Sequence, residues 1–334
     1  MSASHRLPDK FMQDLRSGIL NPLLQEIRAD DTLLMGLRGS YISIYYRGGQ
    51  LLKIEAGNDG YKVIFDQRYD PSDVLAGRLA RHGCEDVLKR RLRSIDDVVT
   101  LVEILSELKR LMDRHKKVQT GLEREFQQVA ARVNSRNKSS NSSHYFITDI
   151  EHKYGEARYD MLGVRWRRNI EHRDHKCLVP VLFEMKYGLD SLDGGSGMVE
   201  HLSTTLRHLK DEHFRSALAS NLKAQFNQLS KLELLRYERG SSLEEFSPVD
   251  NHFQIVFVLA EYVPHSEKLS GILKRCDDLM AESARDFESA GLQVDLRFAS
   301  ASLCGYAMHE RTMLTTDQVR TLLSQLQLRR QVFR

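Results

Sequence analysis

Hydrophobic positions recur along this chain with two different periods. Near the N-terminus Phe11, Leu15, Ile19, Leu23, Leu24 and Ile27 stand at helical spacing, which gives a helix one apolar face. Pro8 suits a helix start. Pro22 is expected to kink or split the helix, because proline lacks a backbone N–H and clashes with the preceding turn. The period then changes. SYISIYYR turns at Gly48-Gly49 into QLLKIEA, which turns at Gly57-Asn58-Asp59-Gly60 into YKVIFDQ. That pattern predicts a β-meander, and leaves open whether it forms its own sheet or extends another. Helical spacing returns from Pro71 to about Asn134. One stripe follows Ile95, Val98, Val102, Leu105, Leu108 and Met112, and a second follows Val118, Leu122, Phe126, Val129 and Val133.

The second half alternates strands with helices. SRNKSSNSS, 135–143, reads as a flexible polar loop. HYFITDIEHK, RYDMLGVRW and CLVPVLFEMKYG each read as strands, the last two joined by the polar stretch 167–176. A glycine-rich turn leads to a helix carrying Met198, Leu202, Leu206 and Leu209 on one face. FQIVFVLAEYV is continuously apolar, as befits a strand covered on both faces. An amphipathic helix follows through Leu269, Ile272, Leu273, Cys276, Leu279 and Met280. A half-buried strand comes next at Leu292, Val294, Leu296 and Phe298, and a basic helix from Thr316 onward. The order is that of an α/β fold, a mixed central sheet flanked by helices, preceded by an N-terminal α+β region.

Composition narrows the picture modestly. With 334 residues and 41% hydrophobic content the chain can bury a sizeable core in one or two domains. A net charge of +3 is too small to imply nucleic-acid binding, so any electrostatic case rests on local clusters. Cys84, Cys177, Cys276 and Cys304 form no Cys-x-x-Cys pair. A zinc ribbon is not expected, and reduced thiols in a cytoplasm are. No apolar run approaches membrane-spanning length, and the N-terminus has no signal-peptide core.

Candidate chemistry gathers between Arg158 and Gly188. Side chains alternate across a strand, so Glu184 and Lys186 share a face. An acid and a base on an apolar strand are costly to bury unless they pair or bind something. Asp160 opens the preceding strand. If the two strands pair, two carboxylates and an ammonium converge at one sheet edge, a cradle for a divalent metal and a phosphate. A plain Glu184–Lys186 ion pair is the bland alternative.

Asp160 followed by Glu184-Met185-Lys186 resembles the PD-(D/E)XK nuclease superfamily, over roughly 122–264. The position before the aspartate is Tyr159 where that pattern has proline. The resemblance implies a restriction-endonuclease-like core in 118–334, with 1–117 as a front region of unassigned role. It implies Mg²⁺ or Mn²⁺ held by Asp160 and Glu184, the Met185 carbonyl adding a ligand and Lys186 orienting water. It also implies an acidic residue from the preceding helix, for which Glu125 borders the apolar stripe, and a polar residue from the following helix, for which His201 is a candidate. Glu151 is a reserve ligand; a strand-end carboxylate in solvent is the expectation for it and for Asp149. His201 is likewise expected at the surface.

The function so implied is metal-dependent hydrolysis of phosphodiester bonds, DNA before RNA. By analogy it suits bacterial restriction or anti-phage defence. A non-catalytic nucleic-acid-binding or interaction module on the same fold is the alternative. Arg165, Arg167 and Arg168 form a basic cluster expected to brace a phosphate backbone beside the site. His172 and His175 lack zinc-helix spacing. A homodimer or protein partner would use the front region.

Overall fold

The computed structural model describes the chain except residues 1–4, 73, 75–76, 78, 80–85, 117–120, 155–156, 168–172, 174–177, 196, 238–247, 261–265, 302–309, 311–312 and 333–334. Arg168, His172, His175, Cys84, Cys177 and Cys304 lie outside the described residues. Two compact units emerge. One runs to Gln128 and includes Ala224–Leu235; the other comprises Val129–Lys223 and Arg236–Arg334. The expected boundary stood at 117/118.

In the first unit the N-terminal apolar stripe forms α1 (Asp9–Arg16) and α2 (Asn21–Ala29). Pro8 precedes α1 and Pro22 lies in the first turn of α2, the position where a missing N–H is harmless. The split expected at Pro22 therefore falls just before it. The meander is its own antiparallel sheet, in the order β1 (Leu33–Leu37), β2 (Tyr41–Tyr46), β3 (Gly49–Gly57), β4 (Gly60–Phe65), β5 (Arg91–Leu92). β1 and β5 were not expected. LLMGL is too short to show a period, and β5 is two residues within a basic cluster.

Gly48, at the β2–β3 turn, has φ +70°, and a Cβ there would lie 2.3 Å from the main-chain carbon of Arg124. Glycine is required there on both counts. Helices α3 (Ile95–Glu103) and α4 (Leu105–Lys116) follow, α3 opened by a Ser94–Asp97 capping box. Next comes α5 (Leu122–Ser135), whose residues from Val129 on belong to the second unit.

The second unit holds a five-stranded mixed sheet. Its strands are β6 (Tyr145–Tyr154), β7 (Ala157–Arg165), β8 (Val179–Tyr187), β9 (His252–Ala260) and β10 (Gln293–Ala301), in the order β10-β9-β8-β7-β6. β6, β7 and β8 pair antiparallel; β8, β9 and β10 pair parallel. The parallel crossovers use α6 (Met198–Lys210), α7 (Glu212–Lys231, whose residues from Ala224 on belong to the first unit) and α8 (Glu267–Ser289), with α9 (Thr316–Val332) after β10. Parallel strands covered on both faces read as unbroken apolar runs, and β9 is buried along its length from Phe253 to Ala260.

Two stretches expected to be polar and open are partly folded inward. Part of 135–143 forms a 3₁₀ turn with Ser140 and Ser143 fully buried. The Ser143 hydroxyl lies 2.9 Å from both Tyr145 O and Asn134 Oδ1 and can donate its proton to either, and Ser140 Oγ lies 2.7 Å from Arg236 O. Arg173, from the stretch 167–176, is buried and donates to the carbonyls of Asn141, Ser143 and Trp166. Serine and arginine counts alone cannot reveal such inward donors, because their partners are main-chain carbonyls.

Candidate active site

β7 and β8 are adjacent and antiparallel, and their ladder ends at Met161↔Phe183. Beyond that pair the strands part. The Asp160 carboxylate bridges the opening, its Oδ2 accepting the Met185 backbone N–H at 2.8 Å. Asp160 thus satisfies a donor that the ladder leaves behind.

On β8, Lys186 Nζ donates to Glu184 Oε1 at 2.7 Å. Both side chains are almost fully enclosed, at 8% exposure for Glu184 and 4% for Lys186. The shared face expected from their spacing is the geometry seen. Their enclosure follows from the apolar strand that carries them, flanked by β7 and β9.

Helix α6 supplies a third member. His201, in its first turns, places Nδ1 2.9 Å from the same Glu184 oxygen. A carboxylate only accepts, so Nδ1 carries the proton. The surface position expected for His201 is corrected: it is partly covered, at 30% exposure. Both contacts of Glu184 fall on Oε1, and Oε2 makes no hydrogen bond among the described residues.

The neighbouring acids are engaged otherwise. Asp149 is buried and accepts from His152 Nδ1 at 2.8 Å, rather than ending a strand in solvent. β6 has an irregular register between Ile147 and Asp149. Glu151 takes φ +56° and forms an ion pair with Arg158. That kink brings Asp149 and His152 together across an odd spacing, which strand periodicity would place on opposite faces. His152 was therefore missed. Further along, Tyr159 OH lies 2.7 Å from His208 Nδ1 on α6. Burial, then the nearby Arg207 charge, lower the His208 pKa below the usual histidine value.

The remaining predicted residues are placed elsewhere. Glu125 belongs to the first unit and pairs with Arg47 at 3.2 Å, in a cluster with Asp113. Arg165 is the last residue of β7. It stands five residues beyond Asp160, about 17 Å along an extended strand. Arg165 and, two residues on, Arg167 are thus not beside the Asp160–Glu184 opening, as expected, but at the opposite end of β7. The strand's linear span separates what sequence proximity suggested was adjacent.

No family model and no curated protein matches the sequence. Among solved structures, one described as the structure of Pyrococcus furiosus SfsA in complex with Ca²⁺ aligns at 13% identity, covering 86% of this chain and 90% of that one. Its TM-score is 0.18, too low to bear on fold or function. Among the described residues no helix is long and apolar enough to cross a membrane.

Proposed function

We propose that this chain is a metal-dependent nuclease of the PD-(D/E)XK type, with the mixed sheet of the second unit as a restriction-endonuclease-like core. The observation that carries this reading is the meeting of Asp160 with the Glu184-Met185-Lys186 segment where β7 and β8 part. The donor set fits a hard divalent cation. Asp160 and Glu184 offer carboxylate oxygens, Glu184 Oε2 makes no hydrogen bond among the described residues, and the Met185 carbonyl belongs to the same short segment. Mg²⁺ or Mn²⁺ would be the ion, and when bound it would offset charge on the scissile phosphate and favour a deprotonated water.

The protein's own groups have distinct tasks in this reading. Lys186 and His201 fix the Glu184 carboxylate from two sides, so its orientation is set before substrate arrives. The Lys186 ammonium can also donate to the attacking water or to a phosphate oxygen as charge grows there. Asp160 holds the β8 backbone at Met185, the residue next to Glu184. The substrate is nucleic acid, with DNA favoured over RNA, and the first unit is left for recognition or assembly.

Incubation of the purified chain with plasmid, linear DNA and RNA, each with Mg²⁺, Mn²⁺ or EDTA, tests this reading. Cleavage is expected with either metal and none with EDTA. Metal-dependent nucleic-acid binding without cleavage would favour a non-catalytic module instead.

A further inference from the structure

At the opposite end of the same sheet the N-terminal ends of β8, β9 and β10 meet the C-terminal end of β7 around an open cleft of about 710 Å³. That volume lies within the roughly 300–1,000 Å³ of small-ligand sites. Arg165 and Arg167 line one side, and Asn251, His252 and Gln293 contribute polar edges. Val179, Val249 and Leu292 add apolar wall.

Arg165 is the unusual member. Its side chain is only 7% exposed, and its Nε is buried without a hydrogen-bond partner among the described residues. A guanidinium held that deeply with a donor unused is costly unless an anion sits nearby. The anion present is Glu310. Its Oε1 lies 3.7 Å from Arg165 Nη1 and also pairs with Arg167, and Oε2 is 3.9 Å from His144 Nδ1. Glu310 is 32% exposed, so solvent reaches it. The acid that lines the cleft is Glu288, and nearby Asp295 is already taken by His252 at 2.9 Å.

A single carboxylate bridging two arginines that line an open cleft is the arrangement a phosphate would take. Which phosphate follows from charge. An internal phosphodiester carries one negative charge, the same as Glu310, and gains little by displacing it. A phosphomonoester carries about −1.5 to −2 at neutral pH and offers three strong acceptor oxygens. It can fill both guanidinium forks where a carboxylate fills them incompletely. We infer that this cleft binds a phosphomonoester, on Arg165 and Arg167, with Glu310 as a built-in competitor that excludes internal phosphodiesters. The monoester comes either from a free mononucleotide or from the phosphorylated end of a nucleic acid. The inference stands apart from the nuclease chemistry at Asp160, and EDTA separates the two.

The test is equilibrium binding and thermal shift in EDTA with four probes: inorganic phosphate, adenosine 5′-monophosphate, and a short oligodeoxynucleotide with either a 5′-phosphate or a 5′-hydroxyl. Saturable binding is expected for the monoester probes and not for the 5′-hydroxyl oligonucleotide. Preference between mononucleotide and 5′-phosphorylated oligonucleotide identifies the source. Arg167→Ala, at an exposed position, is expected to weaken monoester binding about tenfold or more, and Glu310→Gln to tighten it about tenfold, as charge-assisted contacts are lost or freed. Arg167→Ala leaves the buried Arg165 and its anion in place, whereas Glu310→Gln removes that anion's charge, so the melting curve must show each variant folded before its binding is read. Equal binding of the two oligonucleotides, no saturable binding of any monoester, or no tightening in Glu310→Gln would overturn the inference.

Discussion

At one end of the β7–β8 pair, Asp160, Glu184, Lys186 and His201 enclose their charges with hydrogen bonds of 2.7–2.9 Å. At the other end, Arg165 and Arg167 share the single carboxylate of Glu310, and a cleft lies beside them. The first end is closed and internally matched; the second is open and undermatched. A closed acid–base set suits positioning for chemistry. An open site with an unused buried donor suits capture of an anion from solution. The same sheet carries both because a strand's two termini are far enough apart to hold different electrostatic environments.

The largest effect expected on this contrast is at Glu184. Glu184→Ala leaves the Lys186 ammonium enclosed without its carboxylate, a loss of about 3–5 kcal/mol when one partner of a buried pair is removed. Nuclease activity should vanish as well. The double change Glu184→Ala with Lys186→Met separates structure from chemistry. Removing both charges should recover part of the stability, since the stranded charge is gone, while activity stays absent. Denaturant titrations and cleavage assays on the three proteins read both quantities. Full cleavage by a well-folded Glu184→Ala protein would place the chemistry elsewhere and leave the Glu184–Lys186 pair as an internal brace.

That contrast also explains what could be read from the residues alone. The closed end rests on period-2 spacing within one strand and one aspartate at the head of its neighbour, so Asp160, Glu184 and Lys186 were visible together. The polar helix that adds His201 was visible too, but not its aim, because a helix face is fixed only by packing. The open end draws on β7, β8, β9, β10 and Glu310, which span 165–310 in the chain. No local pattern joins them, and the arginines appeared to belong with Asp160 simply because they follow it closely. The mixed sheet itself was legible from its apolar runs, whereas the kink at Glu151 that buries Asp149 with His152 was not. Positive φ at a non-glycine residue leaves no mark on hydropathy.

A substitution between the two ends sharpens the contrast differently. Gly163 lies on β7, and a Cβ there would stand 2.2 Å from the Phe146 carbonyl oxygen of β6. Backbone must move to admit it, so Gly163→Ala should cost about 1–3 kcal/mol, the usual range for overpacking. Because β7 carries Asp160 at one end and Arg165 at the other, both cleavage and monoester binding should suffer together. Loss of one with the other intact would show that the ends are not mechanically linked through β7.

Arg167→Ala should have a smaller effect on stability. The side chain is 53% exposed and its ion pair with Glu310 is solvent-screened, so the change is expected within about 1 kcal/mol. Cleavage should be unaltered. A large fall in melting temperature would show that the Arg165–Arg167–Glu310 group is structural support and not a waiting site.

The smallest effects are in acid, where the two ends should weaken in different windows. Near the closed end, burial and Arg207 hold the His208 pKa below the ordinary histidine value of 6.5, and His208 Nδ1 is bonded to Tyr159 OH. An unfolded chain then binds this proton more readily than the folded one. The contribution is fully present above pH 6.5 and is lost as pH falls from there through the depressed folded value. Near the open end, burial raises the Asp295 pKa, but hydrogen bonds from His252 and Gln293 and the charges of Arg297 and His252 outweigh it. The net shift is downward from 3.8. This contribution is present above pH 3.8 and lost as pH falls through the lower folded value. Stability measured against pH should therefore show a histidine step beginning below 6.5 and a carboxylate step below 3.8. His208→Gln should remove the first step and leave the second, and Asp295→Asn the reverse. A single merged transition unaffected by either substitution would show that neither group reports on its end of the sheet.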